Sequence, residues 1–382
     1  MKKLNAAIIG AGFIGEAHIE AIRRLGYVDV VAIAQSSKEK AEARAAALGI
    51  AHAYGDYRAI LEDSSIDVIH NCTPNHLHYQ LNKEILHSGK HLLSEKPLTM
   101  TSEEAKQLAA LAEQTGLVCG VNHNYRLYPM VQQMKAMVQA GDLGKIHLVR
   151  GEYLQDWLLF ATDYNWRLEP QYGGKTRAIG DIGSHLYDLA QYVIGSCIVE
   201  VFADLATFLP KRKKPRQAQI TFRQNQQETE EVDVHSEDYG TVIARFENGA
   251  RGVFTVSQMT AGKKNGLALH LDGAKASASW HQEEPFKLSL GYRDRPNEIL
   301  LRDASLVRKE AVPYIHYPGG HEEAWADGMK NMMQQFYGSI RSGQQLPHAV
   351  ASFREGYRIM LIIDAIVASA RSGQWVKIDD ID

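Results

Sequence analysis

From Leu4 to Asn124, short apolar runs alternate with longer stretches whose apolar positions recur every three or four residues. "AAIIG" (Ala6–Gly10) predicts a buried strand, and Ile14, Ala17, Ala21, Ile22 and Leu25 after it predict an amphipathic helix. The same pairing repeats with "VDVVAIA" and "KEKAEARAAALG", then with "IDVIHNCTP" and "HYQLNKEILHSG". "KHLLSEK" and "TSEEAKQLAALAEQTG" follow, with Thr101 and Glu104 spaced as a capping box, and "LVCGVN" closes the series. Strand–helix alternation of this kind predicts right-handed βαβ crossovers on a buried parallel sheet.

The rhythm changes after Arg126. A helix over "YPMVQQMKAMVQAG" leads into the strand "KIHLVRGEYL" and an aromatic stretch ending at Arg167. A helix is expected from about Gly180 to Ile194, then mostly strands from Ile198 to Tyr292. "FENGARGVFTV" reads as a hairpin on an Asn-Gly turn, and helices over about 320–342 and 349–372 finish the chain. The expected fold is α/β: an N-terminal Rossmann doubly wound parallel sheet over 1–124, then a C-terminal α+β domain over 125–382. That second domain holds a large, mostly antiparallel sheet, and its last helix is expected to pack back near the first domain.

Composition adds exclusions. A formal charge of −3 gives no overall basic field for nucleic acid or anionic membrane. The local exception, "PKRKKPRQ" at Pro210–Gln217, is bracketed by prolines without aromatics and reads as a solvated loop between strands. Cys72, Cys119 and Cys197 are odd in number and far apart, which fits no disulfide framework or zinc spacing. The lysines and apolar run at the start resemble a leader, but Glu16, His18 and Glu20 interrupt it and no cleavage site follows. With no apolar stretch of membrane-spanning length, a cytoplasmic protein is expected.

The chemistry gathers at strand ends. "GAGFIG" puts Gly10, Gly12 and Gly15 between a strand and a helix, where a tight turn, close backbone approach and the helix N-terminus receive a pyrophosphate. Gln35 stands where an acidic residue often binds the ribose, and with Ser36, Ser37 and Lys38 nearby the choice between NAD and NADP stays open. "SEKP" ends one strand and "NCTPNHLH" another at the same sheet edge, directing Lys96 to the crevice. Cys72, Thr73, Pro74, Asn75 and either His76 or His78 are expected beside the cofactor, and pairing of Lys96 with Glu95 is the structural alternative. In "IGDIGSH", Asp181 and His185 are four apart, which places them on one face of a helix. An aspartate that orients an imidazole makes a general base. A cap by Asp181, or a half metal site completed by His321 or His123, competes with that reading; no spacing demands a metal, and none is expected.

Together "GAGFIG", "TPNHLH", "SEKP", "GDIGSH" and Asn165–Arg167 resemble the Gfo/Idh/MocA oxidoreductase family. The resemblance implies a dehydrogenase that oxidises a secondary hydroxyl of a sugar, glycoside or related polyol, in some members at carbon 3 of a glucose-like ring. It implies Lys96, Asp181 and His185 as catalytic residues. A cofactor site of Gly10, Gly12, Phe13, Ile14, Gly15, Gln35, Ser36, Cys72, Thr73, Pro74, Asn75, His78, Glu95, Lys96, Asn124, Trp166 and Arg167 is expected, with NAD favoured and NADP open. Tyr153, Gln155, Asp156, Tyr164 and His321, near Trp157 and Trp325, join Lys96, Asp181 and His185 as substrate residues, since aromatics with amides and carboxylates suit a polyhydroxylated ring. An inositol dehydrogenase, an NAD-dependent glycosidase of the same fold and a non-catalytic dinucleotide sensor are the alternatives. A homodimer or homotetramer is expected through the open face of the second sheet, with Val253, Phe254 and Val256 on it.

Overall fold

The computed structural model describes residues 3–216 and 228–378. The chain forms two compact units. The first takes Met1–Leu127 with Trp325–Met360, and the second takes Tyr128–Ala324 with Leu361–Asp382. The division departs from an unbroken second domain over 125–382, because a C-terminal segment completes the first unit's sheet.

In the first unit β1 (Leu4–Ile9), β2 (Val28–Ala34), β3 (His52–Tyr54), β4 (Val68–Asn71), β5 (His91–Ser94) and β6 (Cys119–Val121) are parallel, in the order β6-β5-β4-β1-β2-β3. The two-residue strand Ala351–Ser352 joins β6 antiparallel and makes seven. Ala6, Ala7, Ile8, Val68, Ile69, Leu92 and Leu93 are fully buried, as strands covered by helices on both faces require; each large side chain contributes about 1.5–3 kcal/mol on burial. Register matters more than burial for function. Ile9 pairs Asn71, Asn71 pairs Ser94 and Ser94 pairs Val121. The residues that follow therefore line up along the carboxyl edge: Gly10, Cys72, Glu95 and Asn122.

In the second unit β7 (Ile146–Leu154), β8 (Ile198–Ala206), β11 (Tyr239–Phe246), β12 (Arg251–Ser257), β13 (Gly266–Gly273), β14 (Ser277–His281), β15 (Lys287–Gly291) and β16 (Glu298–Leu301) form one sheet with the short strand Val376–Lys377. Every neighbouring pair is antiparallel except β7 with β12. That parallel pair brings Gln155 and Gln258 to one edge. Helix Ser184–Ile194 covers the inner face so closely that a Cβ at Gly151 would come within 2.6 Å of Leu186 Cδ1.

Two expectations are corrected here. Phe254 and Val256 are fully buried and only Val253 is exposed, because alternate residues of a strand point to opposite faces. The outer face instead carries Val253 opposite Ile243. The basic run is no solvated loop: Lys211–Pro215 is a strand, β9, paired antiparallel with β10 (Thr229–Asp233); Gln217 lies outside the described residues. Alternation again decides. Lys211 and Lys213 face solvent, while Arg212 is buried and shares Asp238 with the buried Arg177.

Two guanidiniums around one carboxylate stay buried only while the negative charge remains. Asp238→Asn should lower unfolding free energy by about 3–5 kcal/mol in urea titration; a loss within experimental error would show that the triad does not hold the fold.

Candidate active site

In the first unit the glycine loop has the shape of a phosphate cradle. Gly10 has φ +91°, a left-handed conformation that favours glycine, and a Cβ there would lie 2.6 Å from the Cys72 carbonyl oxygen. A Cβ at Gly15 would strike the Gly10 carbonyl, whereas Gly12 has nothing within 4 Å of its Cβ position. Helix Phe13–Arg23 starts after Gly12 with no side chain capping it, and its positive end faces that open space. Asn124 adds a buried amide nitrogen with no hydrogen-bond partner among the described residues. A dinucleotide fits this loop. At the end of β2, Ser37 is committed as a helix cap to Lys40 N, Lys38 pairs with Glu42 and Lys40 donates to Ser36.

Glu95 is buried; its Oε1 meets His18 Nε2 at 2.9 Å and accepts from Asn122 Nδ2 at 2.5 Å, and its Oε2 accepts from the Lys96 backbone N–H at 3.3 Å. His18 Nδ1 lies 2.9 Å from His70 Nδ1, and His70 Nε2 lies 2.7 Å from the Tyr337 hydroxyl. Burial pushes the Glu95 carboxyl up, but the His18 and Asn122 hydrogen bonds and the Lys96 charge outweigh it and hold it below its ordinary value. An ionised carboxylate only accepts. His18 therefore carries a hydrogen on Nε2; were both imidazoles neutral, His70 would donate from Nδ1 and Tyr337 to His70 Nε2, and the whole chain would be satisfied in one direction. Lys96, on a cis peptide bond to Pro97, is partly exposed at the strand end this network holds.

Other expected cofactor residues lie on the strand-end loops after β4. Cys72 is buried and its thiol pushed well up, by burial and then by Glu95. Thr73 donates to Asn71 Oδ1 at 2.7 Å, and Asn75 is buried in a 3-10 turn after Pro74. His78 is fully buried, with Nδ1 2.7 Å from the Pro97 carbonyl and Nε2 2.8 Å from the Thr73 carbonyl. It ties two strand-end loops together.

In the second unit Asp181 and His185 do not share one α-helix. Asp181 lies in a π turn, Ile179–Gly183, and His185 in the first turn of helix Ser184–Ile194; the α-helical spacing rule does not span that junction, and such turns recur at functional sites. Asp181 Oδ1 accepts from Arg167 Nε at 3.2 Å and Oδ2 from Gln258 Nε2 at 3.1 Å. Arg167 lies within the 3-10 turn Trp166–Leu168, capped by Asn165, with its guanidinium 4.4 Å over the Trp166 ring. His185 is 8% exposed, with the Tyr153 ring 6.4 Å away.

Of the expected substrate residues, Tyr153 and Gln155 converge on Asn265 Oδ1, at 2.5 and 3.3 Å, and Gln155 Oε1 accepts from Trp157 Nε1 at 2.7 Å. Asp156 is held by Lys264 at 2.6 Å. Tyr164 donates to Glu169 at 2.9 Å beneath Lys214 of β9. His321 is exposed on a loop pinned by the buried Arg302–Glu323 pair, whereas Trp325 stacks on Phe13 in the first unit. The sequence reading missed His18, His70, Asn122 and Tyr337, and in the second unit Arg177, Asp238, Gln258 and Asn265.

A profile of the Gfo/Idh/MocA oxidoreductase family, described as an NAD-binding Rossmann fold, matches residues 4–123, and a Gfo/Idh/MocA C-terminal domain profile matches 131–279. Levoglucosan dehydrogenase of Pseudarthrobacter phenanthrenivorans is 31% identical over 408 residues, covering 100% of both chains. D-glucoside 3-dehydrogenase of Escherichia coli is 32% identical over 50% of this chain and 54% of its own. Among solved structures, levoglucosan dehydrogenase in complex with NADH and L-sorbose superposes with a TM-score of 0.90 at 28% identity, covering 100% of each chain.

Burial, and then the neighbouring His18, hold His70 well below its ordinary 6.5. As pH falls below 6.5 the unfolded chain takes up a proton that folded His70 refuses, so this contribution to stability is full above 6.5 and shrinks below it. Thermal melts from pH 7.5 to 5.5 should fall, and His70→Gln should reduce the slope without abolishing it, since burial also lowers His78. An unchanged slope in the variant would show that His70 takes up its proton in the fold.

Proposed function

The chain belongs to the Gfo/Idh/MocA family of NAD-dependent oxidoreductases, and on that premise we propose that it oxidises a secondary hydroxyl of a glucose-like sugar or glycoside to a ketone. The observation that carries this reading is likeness over the full chain to a sugar dehydrogenase, with Lys96, Asp181 and His185 intact at a strand end and a π-turn junction. The aromatic and amide set of Tyr153, Gln155, Trp157 and Asn265 supports a ring that is apolar on its face and polar at its rim.

The Gly10–Gly15 loop and Asn124 would hold NAD, with Gln35 at the ribose; the commitments of Ser37, Lys38 and Lys40 leave no ready clamp for a 2′-phosphate. When bound, NAD supplies the hydride acceptor. His185 takes the hydroxyl proton as the carbon gives up its hydride, leaving the ketone. Lys96 stabilises the negative charge developing on that oxygen. Asp181 orients and compensates the imidazolium, and Trp166 and Arg167 would help to hold the bound NAD. The exposed Ile243–Val253 pair suits contact with a second copy of the chain; sedimentation as a monomer at micromolar concentration would remove that part of the reading.

Lys96 acts mainly in the transition state, so Lys96→Ala should lower kcat by about 10²–10³ while the Kd for NADH, read by nucleotide fluorescence, stays put. Lys96→Arg should not restore it, because a planar fork does not replace a compact ammonium. The assay is NADH appearance with levoglucosan, D-glucosides and inositols as candidate substrates. A folded Lys96→Ala variant with unchanged kcat would end the proposal.

A further inference from the structure

Gln258 follows β12 directly and is fully buried. Its side-chain Oε1 accepts from Arg177 Nη1 at 3.1 Å, and its Nε2 donates to Asp181 Oδ2 at 3.1 Å. A guanidinium only donates and a carboxylate only accepts, so the amide has a single orientation; flipping it would break both bonds. Arg177 is itself locked. It pairs with Asp238, its Nε donates to Ser236 Oγ at 3.3 Å, and its backbone N–H donates to Glu237 Oε1 at 2.8 Å. Asp238 also accepts from Arg212 Nη2 at 2.8 Å, and Arg212 Nη1 donates to the carbonyls of Phe160 and Asp163 at 3.0 and 3.3 Å.

These bonds form one line from the basic hairpin to the candidate site: Arg212, Asp238, Arg177, Gln258, Asp181, Arg167. We propose that Gln258 is a positioning residue for Asp181, its amide aimed by Arg177, and that Arg212 extends the same device to the Phe160–Asp163 segment. The inference rests on the role given to Asp181 above. Without the Gln258 donor, Asp181 Oδ2 loses the hydrogen bond that fixes it opposite the Arg167 contact on Oδ1, and the carboxylate is freer to rotate. The opposing view is that Gln258 merely fills a buried polar hole; stability would then fall with Asp181 unmoved.

Gln258→Met removes the donor at similar volume. Gln258→Glu keeps an acceptor for Arg177 and, when ionised, cannot donate to Asp181, which provides a second variant should the first fail to fold. In both, kcat with levoglucosan should fall roughly 10- to 100-fold, the range expected of a displaced catalytic group, with the Kd for NADH unchanged. Combined with Asp181→Asn, neither should slow the enzyme further, because both changes act through one side chain. A crystal structure of either variant should show the Asp181 carboxylate turned away from its present position. Asp181 unmoved, or losses that multiply in the double variant, would overturn the inference. Asp181→Asn with undiminished kcat would instead overturn the catalytic role of Asp181, and the crystal structure would still decide whether Gln258 positions it.

Discussion

A buried carboxylate must be matched by donors that are themselves held in place, and each unit of this protein is organised around one. Glu95 in the first unit is 7% exposed and Asp238 in the second is fully buried. Leaving such a charge unmatched costs more than any single packing contact returns. Glu95 draws in His18, Asn122 and the Lys96 backbone; Asp238 draws in Arg177 and Arg212. Because those partners come from separate strands, helices and loops, satisfying one charge fixes several elements at once. Residues proposed to act in chemistry lie next to these networks: Lys96 beside Glu95, and Asp181 reached from Arg177 through Gln258.

Sheet register gives these networks their location. Parallel pairing in the first unit sets Gly10, Cys72, Glu95 and Asn122 along one carboxyl edge, where such folds bind ligands. The second sheet is almost wholly antiparallel, yet its parallel β7–β12 pair repeats the device and brings Gln155 beside Gln258. Backbone hydrogen bonds confirm the proximity: Gln155 N–H donates to the Ser257 carbonyl at 2.8 Å, and Leu158 N–H to the Gln258 carbonyl at 3.2 Å.

Local chemistry was legible in the sequence itself. Strand and helix periods, the glycine loop, the Thr101 cap, whose hydroxyl accepts from Glu104 N–H at 3.2 Å, and the order of the family's motifs all depend on residues a few positions apart. Such signals survive in one dimension because turns, caps and amphipathic faces are short-range objects. Tertiary structure alone decided what each charge meets. Arg212 reads as one more lysine-like residue in "KRKK" until strand alternation turns it inward to Asp238, 26 positions away. Gln258 carries no motif, and its meaning comes from Asp181, 77 positions distant. Asp181 and His185 fit an α-helical spacing until a π turn interrupts it. Burial makes an ion pair or an amide consequential, and burial is a property of the assembled fold, which no local window of sequence contains.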